Sequence, residues 1–271
     1  MNFERVSILG AEVSDIDLTP PHDDATIQEI KDALARYQVL FFRDQPLSGD
    51  QLLDFTRQFG PLFVQPFLAD LYGELLILEN DKDRPPRLNK MHQDLTGLEC
   101  PPGEHFLHAL AVPDGGGDTI WSSLYAAYDA LSKPMQEFVD GLTVPHDCMK
   151  NYRTVFQRRG KSAEEIDDWA ERYPPQHHPL VRTHPVTGRK ALYVNTLFTT
   201  KIDGLDPGES DLLLKYFYDH ISKPDFCLRL RWRVGTLAIW DNRCTSHYAV
   251  ADYYPQHRHM QRATTQGDKP F

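Results

Sequence analysis

Two histidines and one carboxylate stand out among the residues able to do chemistry. His92 and Asp94 form a His-x-Asp motif, and His247 follows 153 residues later in the run Trp240-Asp241-Asn242-Arg243-Cys244-Thr245-Ser246-His247. Two imidazoles and a carboxylate are the ligand set of non-haem Fe(II) oxygenase sites, which leave three metal positions open. Arg258 lies eleven residues beyond His247, and Arg262 four beyond that. A guanidinium offers a planar fork that pairs bidentately with a carboxylate and stays charged when buried. Such an arginine is what a dicarboxylate co-substrate needs, and the hydroxyl of Thr119 supplies a further donor to the same carboxylate. These residues imply Fe(II), with 2-oxoglutarate and O2 as co-substrates.

The motif alone does not carry this reading. At this composition His-x-acid is expected roughly 1.7 times by chance, and the chain contains two His-x-Asp motifs. The other, His22-Asp23-Asp24, precedes a predicted helix, where Asp24 or Thr26 reads as capping material and His22 as surface. His92 and Asp94 are two apart, so on an extended segment both side chains point to one face. Arg258 and Arg262 share a face of an extended strand for the same reason. His257 and His259 flank Arg258 and are expected to point outward. Gly115-Gly116-Gly117 has no following Lys-Ser/Thr and reads as a turn. Arg84, Arg87 and Lys90 form a charged loop before the metal motif.

The bulk numbers narrow the field. A chain of 271 residues with 41% hydrophobic and 25% charged residues fits a soluble globule with a sizeable core. No linker, repeat or low-complexity run divides it, so one domain over residues 1–271 is expected. The formal net charge of −10 argues against nucleic acid, which requires a basic footprint. Cys100, Cys148, Cys227 and Cys244 form no C-x-x-C pair and read as reduced thiols. No leader is visible at Met1-Asn2-Phe3-Glu4-Arg5, and no run approaches the ~18 apolar residues of a membrane span. The expectation is a cytoplasmic enzyme acting on a small acidic molecule, with no membrane or nucleic-acid partner; a homo-oligomer stays open.

The elements that must position these residues are mainly strands. Thr26-x-x-Glu29, Ser48-x-x-Gln51 and Ser162-x-x-Glu165 read as capping boxes that open helices. Val39–Phe42, Glu74–Glu79, His105–Val112 and Thr119–Trp121 read as strands, and Val181–Val194 as a hairpin. Asp206–His220 reads as a helix with Leu213, Tyr216 and Phe217 inward. Phe226, Leu228, Leu230 and Trp232 alternate with Cys227, Arg229, Arg231 and Arg233 in a half-buried strand. Leu237–Trp240 and Arg258–Thr265 supply the last strands. Short strands at hairpin spacing with helical additions predict a double-stranded β-helix, a cupin-like jelly roll.

The sequence resembles the taurine dioxygenase / aryloxyalkanoate dioxygenase family of Fe(II)/2-oxoglutarate enzymes. The likeness runs from Gly10-Ala11-Glu12-Val13 to Gly267-Asp268-Lys269-Pro270-Phe271. It rests on Phe59-Gly60, His92-Gln93-Asp94 before Pro101-Pro102, and Gly116-Gly117-Asp118-Thr119-x-Trp121. It also includes His178-Pro179-Leu180-Val181-Arg182-Thr183-His184-Pro185, Leu192-Tyr193-Val194-Asn195 and Trp240-Asp241-Asn242-Arg243 through His247-Tyr248-Ala249. The resemblance implies His92, Asp94 and His247 as iron ligands and Thr119 and Arg258 as the 2-oxoglutarate carboxylate site. It sets Arg262 against the substrate's acid group and the co-substrate's 1-carboxylate.

Departures from the family pattern bear on substrate. Gln65 stands where taurine-specific members carry a sulfonate-binding histidine, and Leu68 and Leu88 where a tyrosine and an asparagine serve the amine. Tyr152 and Phe198 fall at aromatic pocket walls. Leucines in place of polar groups disfavour an ammonium, whose desolvation without partners is costly. The expected activity is hydroxylation of a small, sulfonate-like acid with release of succinate and CO2. Alternatives within the class are a sulfate-ester or aryloxyalkanoate dioxygenase, or a biosynthetic oxidase of an amino-acid-derived acid. From another class, a zinc hydrolase or isomerase on the same barrel has no use for the dicarboxylate clamp.

Overall fold

A computed structural model describes residues 1–271. Its strands are β1 (Asn2–Arg5), β2 (Ala11–Ser14), β3 (Val39–Phe42), β4 (Leu76–Asn80), β5 (Glu104–Ala111), β6 (Thr119–Ser123), β7 (Thr143–His146), β8 (Gln176–Pro179), β9 (Val181–Thr183), β10 (Lys190–Leu192), β11 (Cys227–Leu230), β12 (Leu237–Asp241), β13 (Thr245–Ala249) and β14 (Arg258–Thr264). The helices are α1 (Asp24–Tyr37), α2 (Gly49–Arg57), α3 (Leu124–Asp129), α4 (Lys133–Val139), α5 (Met149–Arg158), α6 (Ala163–Arg172) and α7 (Pro207–Ile221). A seven-stranded sheet runs β1-β2-β3-β12-β5-β14-β4, and a smaller one runs β11-β6-β13. The two faces enclose Phe41, Leu107, Trp121, Leu228, Leu230, Trp232, Trp240 and Met260. This is the expected jelly roll, with helices weighing as much as strands in the chain.

Local signals explain most of the element starts. Ser48 and Ser162 make reciprocal capping boxes with Gln51 and Glu165. At α1 the cap is Asp23, whose carboxylate accepts from Thr26 N at 2.8 Å; the expected box starting at Thr26 does not form. An acceptor one turn earlier reaches an otherwise orphaned amide and favours the helix dipole, so it wins. Helices α1 and α2 lay Ile27, Ile30, Leu34, Leu52 and Phe55 on the outer face of the large sheet, against Leu40, Phe42, Phe106 and Ile239. In α7 the buried stripe is Ser210, Leu214, Phe217 and Ile221, and Tyr216 is 43% exposed, against expectation. The 3.6-residue period carries Tyr216 off the stripe that Leu214 and Phe217 define. No helix is long and apolar enough to cross a membrane.

β13 was not expected from the sequence. It pairs with β6 on one edge, His247 opposite Trp121. On its other edge the His92 segment joins through two backbone bonds, His92 N–H to His247 O at 2.9 Å and His247 N–H to His92 O at 2.7 Å. The small sheet thereby brings together two residues 155 positions apart in sequence.

Candidate metal centre and co-substrate pocket

His247 is the middle residue of β13 and shares the inward face with Trp121 and Thr119 of β6. Its ring centre lies 4.2 Å from that of His92. One donor atom from each of His92, Asp94 and His247 lies within 4.8 Å of the others, all buried. His92 donates its Nδ1–H to Lys90 O at 2.7 Å, which fixes the tautomer and leaves Nε2, buried and without a hydrogen-bond partner, for a metal. Nε2 of His92 and of His247 stand 3.5 and 3.9 Å from the Asp94 carboxylate. Burial opposes ionisation of Asp94, but Arg262 and the neighbouring imidazoles outweigh it and hold the carboxyl well below its usual range. Burial, then the nearby His92, pushes His247 well below the ordinary imidazole range, so it stays neutral as a ligand must. The donor set and its orphaned nitrogen fit one metal ion.

Asn242 fixes the position of Asp94, a role the sequence did not disclose. Its side-chain oxygen accepts from Asp94 N at 2.9 Å, and its amide nitrogen donates to Asp94 O at 3.0 Å and Pro102 O at 3.1 Å. The turn between β12 and β13 is held in turn by Asp241, which bonds His184 Nε2 at 2.9 Å and Arg243 Nε at 2.8 Å.

Arg258 occupies a separate buried pocket on the same interior. Its Nε donates to Gly117 O at 3.2 Å, and its guanidinium lies 6.0 and 5.9 Å from the ring centres of Trp232 and Tyr253. The nearby carboxylate, Asp118, is committed to Arg229 at 2.6 Å, so Arg258 has no acidic partner. Burial lowers its pKa accordingly. Thr119 is buried beside it and accepts from Trp232 Nε1 at 3.0 Å, which leaves its hydroxyl proton to give. An isolated buried cation is costly unless an anion joins it, and Arg258 with Thr119 offers donors to one.

Arg262 projects from the same face of β14 and pairs with Asp94 Oδ2 at 2.7 Å. With Gln65, Leu68, Phe63, Leu76 and Leu95 it lines a cavity beside the metal ligands. Tyr152 accepts from the Gln65 amide and stacks on Phe67 with ring centres 4.2 Å apart. Phe198 is buried in the same cluster, with Leu95 and Tyr152. Leu88 does not reach this cavity. It is 41% exposed, because the loop turns back at Asp81 and Arg84, bonded to each other through both backbone amides, and then runs outward through Pro85-Pro86.

The sequence also gave no sign of His105. It stands at the inward-facing start of β5, stacked on Trp240 with ring centres 4.9 Å apart. Its Nδ1 is 3.2 Å from Thr264 Oγ1 and 3.6 Å from Asp94 Oδ2, and its Nε2 is buried without a partner. Burial pushes its pKa down to about 3. β5 carries two histidines three residues apart, His105 and His108, which an extended strand sets on opposite faces, and nothing local tells which of them turns inward.

Barrel, triad and isolated arginine together define an Fe(II)- and 2-oxoglutarate-dependent oxygenase. The family model described as "Taurine catabolism dioxygenase TauD, TfdA family" matches residues 3–264, and the chain belongs to that family. It is 33% identical over 265 residues to an alpha-ketoglutarate-dependent sulfate ester dioxygenase of Pseudomonas putida, covering 97% of this chain and 88% of the relative. A taurine dioxygenase structure from Burkholderia xenovorans superposes with a TM-score of 0.83 at 33% identity, over 99% of this chain and 92% of that one. The structure of AAD-2 in complex with Mn(II) and N-oxalylglycine superposes with a TM-score of 0.85 at 29% identity, over 100% and 99% of the two chains.

Proposed function

We propose that residues 1–271 form one catalytic unit that oxidises a small organic sulfate ester or sulfonate with an apolar body. The observation that carries this reading is the pair of arginines on one face of β14. Arg258 is buried without an acid partner, and Arg262 stands four residues away beside Asp94 in a cavity whose lining mixes Phe63, Leu68, Leu76 and Leu95 with Gln65, Glu74, His105 and Thr264. Two inward cations four residues apart match two anions, one on the co-substrate and one on the substrate. In this reading His92, Asp94 and His247 hold Fe(II), and Arg258 and Thr119 hold the 5-carboxylate of 2-oxoglutarate. Bound Fe(II) supplies the activation of O2 that couples 2-oxoglutarate decarboxylation to hydroxylation of a substrate C–H bond.

The chain's own groups do the rest. Arg262 takes the substrate's acid oxygens and orients its carbon towards the triad, and the Gln65 amide adds a neutral hydrogen bond. Leu68, Phe63 and Leu95 cover the alkyl body, worth about 25 cal/mol per Å2 buried. Tyr152 and Phe198 close the wall against water. Hydroxylation of the carbon bearing a sulfate ester oxygen gives a product that collapses: the new hydroxyl loses its proton, its oxygen becomes the carbonyl oxygen, and the C–O bond to sulfate breaks with sulfate taking the electron pair. The sulfate-ester relative supports this choice over an aryloxyacid.

The test is a side-by-side assay of a medium-chain alkyl sulfate, an alkylsulfonate, taurine and an aryloxyacetate, with Fe(II) and 2-oxoglutarate. Substrate-stimulated succinate formation is expected to be highest with the alkyl sulfate or sulfonate and abolished by a chelator. The highest kcat/KM with taurine overturns the substrate reading. Full chelator-resistant activity overturns the metal assignment.

A further inference from the structure

The outer face of the large sheet carries a second cluster of metal-binding groups. His257 and His259 flank Arg258, so where Arg258 enters the interior its two neighbours turn away from it. Across the sheet edge, Glu79 of β4 is the register partner of His259. Glu79 Oε1 lies 2.9 Å from His257 Nε2, and the two imidazole centres are 6.1 Å apart. One donor atom from each of the three residues lies within 4.8 Å of the others. Ligand atoms about 2.0–2.2 Å from one ion stand roughly 3–3.5 Å apart, so small side-chain rotations complete the set.

Two features orient the carboxylate. Arg84 holds Glu79 Oε2 at 2.7 Å and Asp81 at 2.6 Å, which leaves Oε1 turned towards His257. The hydrogen bond from His257 and the pairing with Arg84 keep Glu79 ionised, with its pKa below the usual range. Strand register sets His259 opposite Glu79, and the hydrogen bond from His257 brings the second imidazole to the same carboxylate. None of the three residues belongs to the oxygenase site, which lies on the other face of β14.

We propose that Glu79, His257 and His259 form a second divalent-metal site, of the borderline class Zn2+, Ni2+ or Cu2+, that clips β14 to β4. Two imidazoles among three donors select against Mg2+ and Ca2+, which take oxygen ligands. Partial exposure leaves the remaining positions to water, and the charge of Arg84 beside the carboxylate sets micromolar rather than nanomolar affinity. Because the clip spans the edge strand β4, occupancy stabilises the sheet at the strand that carries both interior arginines.

Zn(II) titration with free-metal quantification tests this on the full chain, in four forms. Wild type is expected to bind two equivalents at micromolar free Zn(II). His257→Gln/His259→Gln binds one, His92→Ala/His247→Ala binds one, and the combined variant binds none. Glu79→Gln is expected to weaken the second site at least tenfold. Without metal, Tm of the His257→Gln/His259→Gln protein matches wild type, and addition of Zn(II) beyond one equivalent raises Tm in wild type alone. Two equivalents still bound by the His257→Gln/His259→Gln protein overturn the proposal, as does an equal Zn(II)-induced rise in Tm. Failure of the triad as a metal site appears separately, as no metal bound by the His257→Gln/His259→Gln protein.

Discussion

Arg258 is a buried cation to which the fold gives no acidic partner. Its guanidinium is buried between Trp232 and Tyr253, and the neighbouring Asp118 is occupied by Arg229. Cation–π contacts of this kind offset only part of the desolvation cost. Arg258→Met keeps the volume and removes the charge, so on the proposed function co-substrate binding should weaken while stability does not. The KM for 2-oxoglutarate is expected to rise roughly a hundredfold, the lower end of the ~3–5 kcal/mol lost when one partner of a buried ion pair is removed. In the absence of co-substrate Tm is expected to hold or rise. A lowered Tm with an unchanged KM, from denaturation scans and steady-state kinetics, moves the co-substrate anchor to Arg262.

At the scale of elements, β14 works only because the loop before β6 lets Arg258 in. Gly117 has φ +69°, and a Cβ there would stand 3.1 Å from Pro113 Cγ, 3.2 Å from Arg258 Cδ and 3.3 Å from Tyr253 Cδ1. Its amide donates to Asp252 at 2.8 Å and its carbonyl accepts from Arg258. Gly117→Ala is therefore expected to cost about 1–2 kcal/mol, the penalty of a left-handed L-residue, and to raise the 2-oxoglutarate KM by displacing the guanidinium. Gly115→Ala is the control, because a Cβ there meets nothing within 4 Å and φ is not positive. Equal urea midpoints for the two variants would remove the loop from the account.

For the whole molecule, stability depends on pH through buried neutral histidines away from the metal centre. Burial lowers the pKa of His108, His146, His178 and His220 below the ordinary 6.5. The unfolded chain binds these protons near pH 6.5 while the folded chain does not. Their contribution to stability is therefore complete above about pH 6.5 and is lost progressively as pH falls towards the folded values. The urea midpoint is expected to fall between pH 7.5 and 5.5, measured at about 0.2 M salt so that changes in surface charge are screened. A midpoint that stays level or rises over that interval contradicts the burial of these four imidazoles in neutral form.

What the sequence determined by itself is whatever is set within a helical turn or along one strand. The boxes at Ser48 and Ser162 close over three residues, and the alternating burial from Phe226 to Trp232 holds although the strand itself is confined to Cys227–Leu230, with Phe226 in a 3-10 turn before it. The grouping of His92, Asp94 and His247 was legible because metal ligation restricts residue type, and the shared inward face of Arg258 and Arg262 because strand spacing restricts facing. Tertiary structure decided which distant segments meet. The backbone pairing of His92 with His247, the clasp of Asn242 on Asp94, and the arrival of His105 beside Asp94 all depend on sheet register across more than ten residues, and in the first two cases across about 150. Leu88 and Tyr216 were misplaced for the same reason: a loop's direction and a helix's rotation follow from the surfaces they pack against. Hydrophobic pattern fixes which face is buried, whereas the pairing of particular side chains waits for the sheets to close.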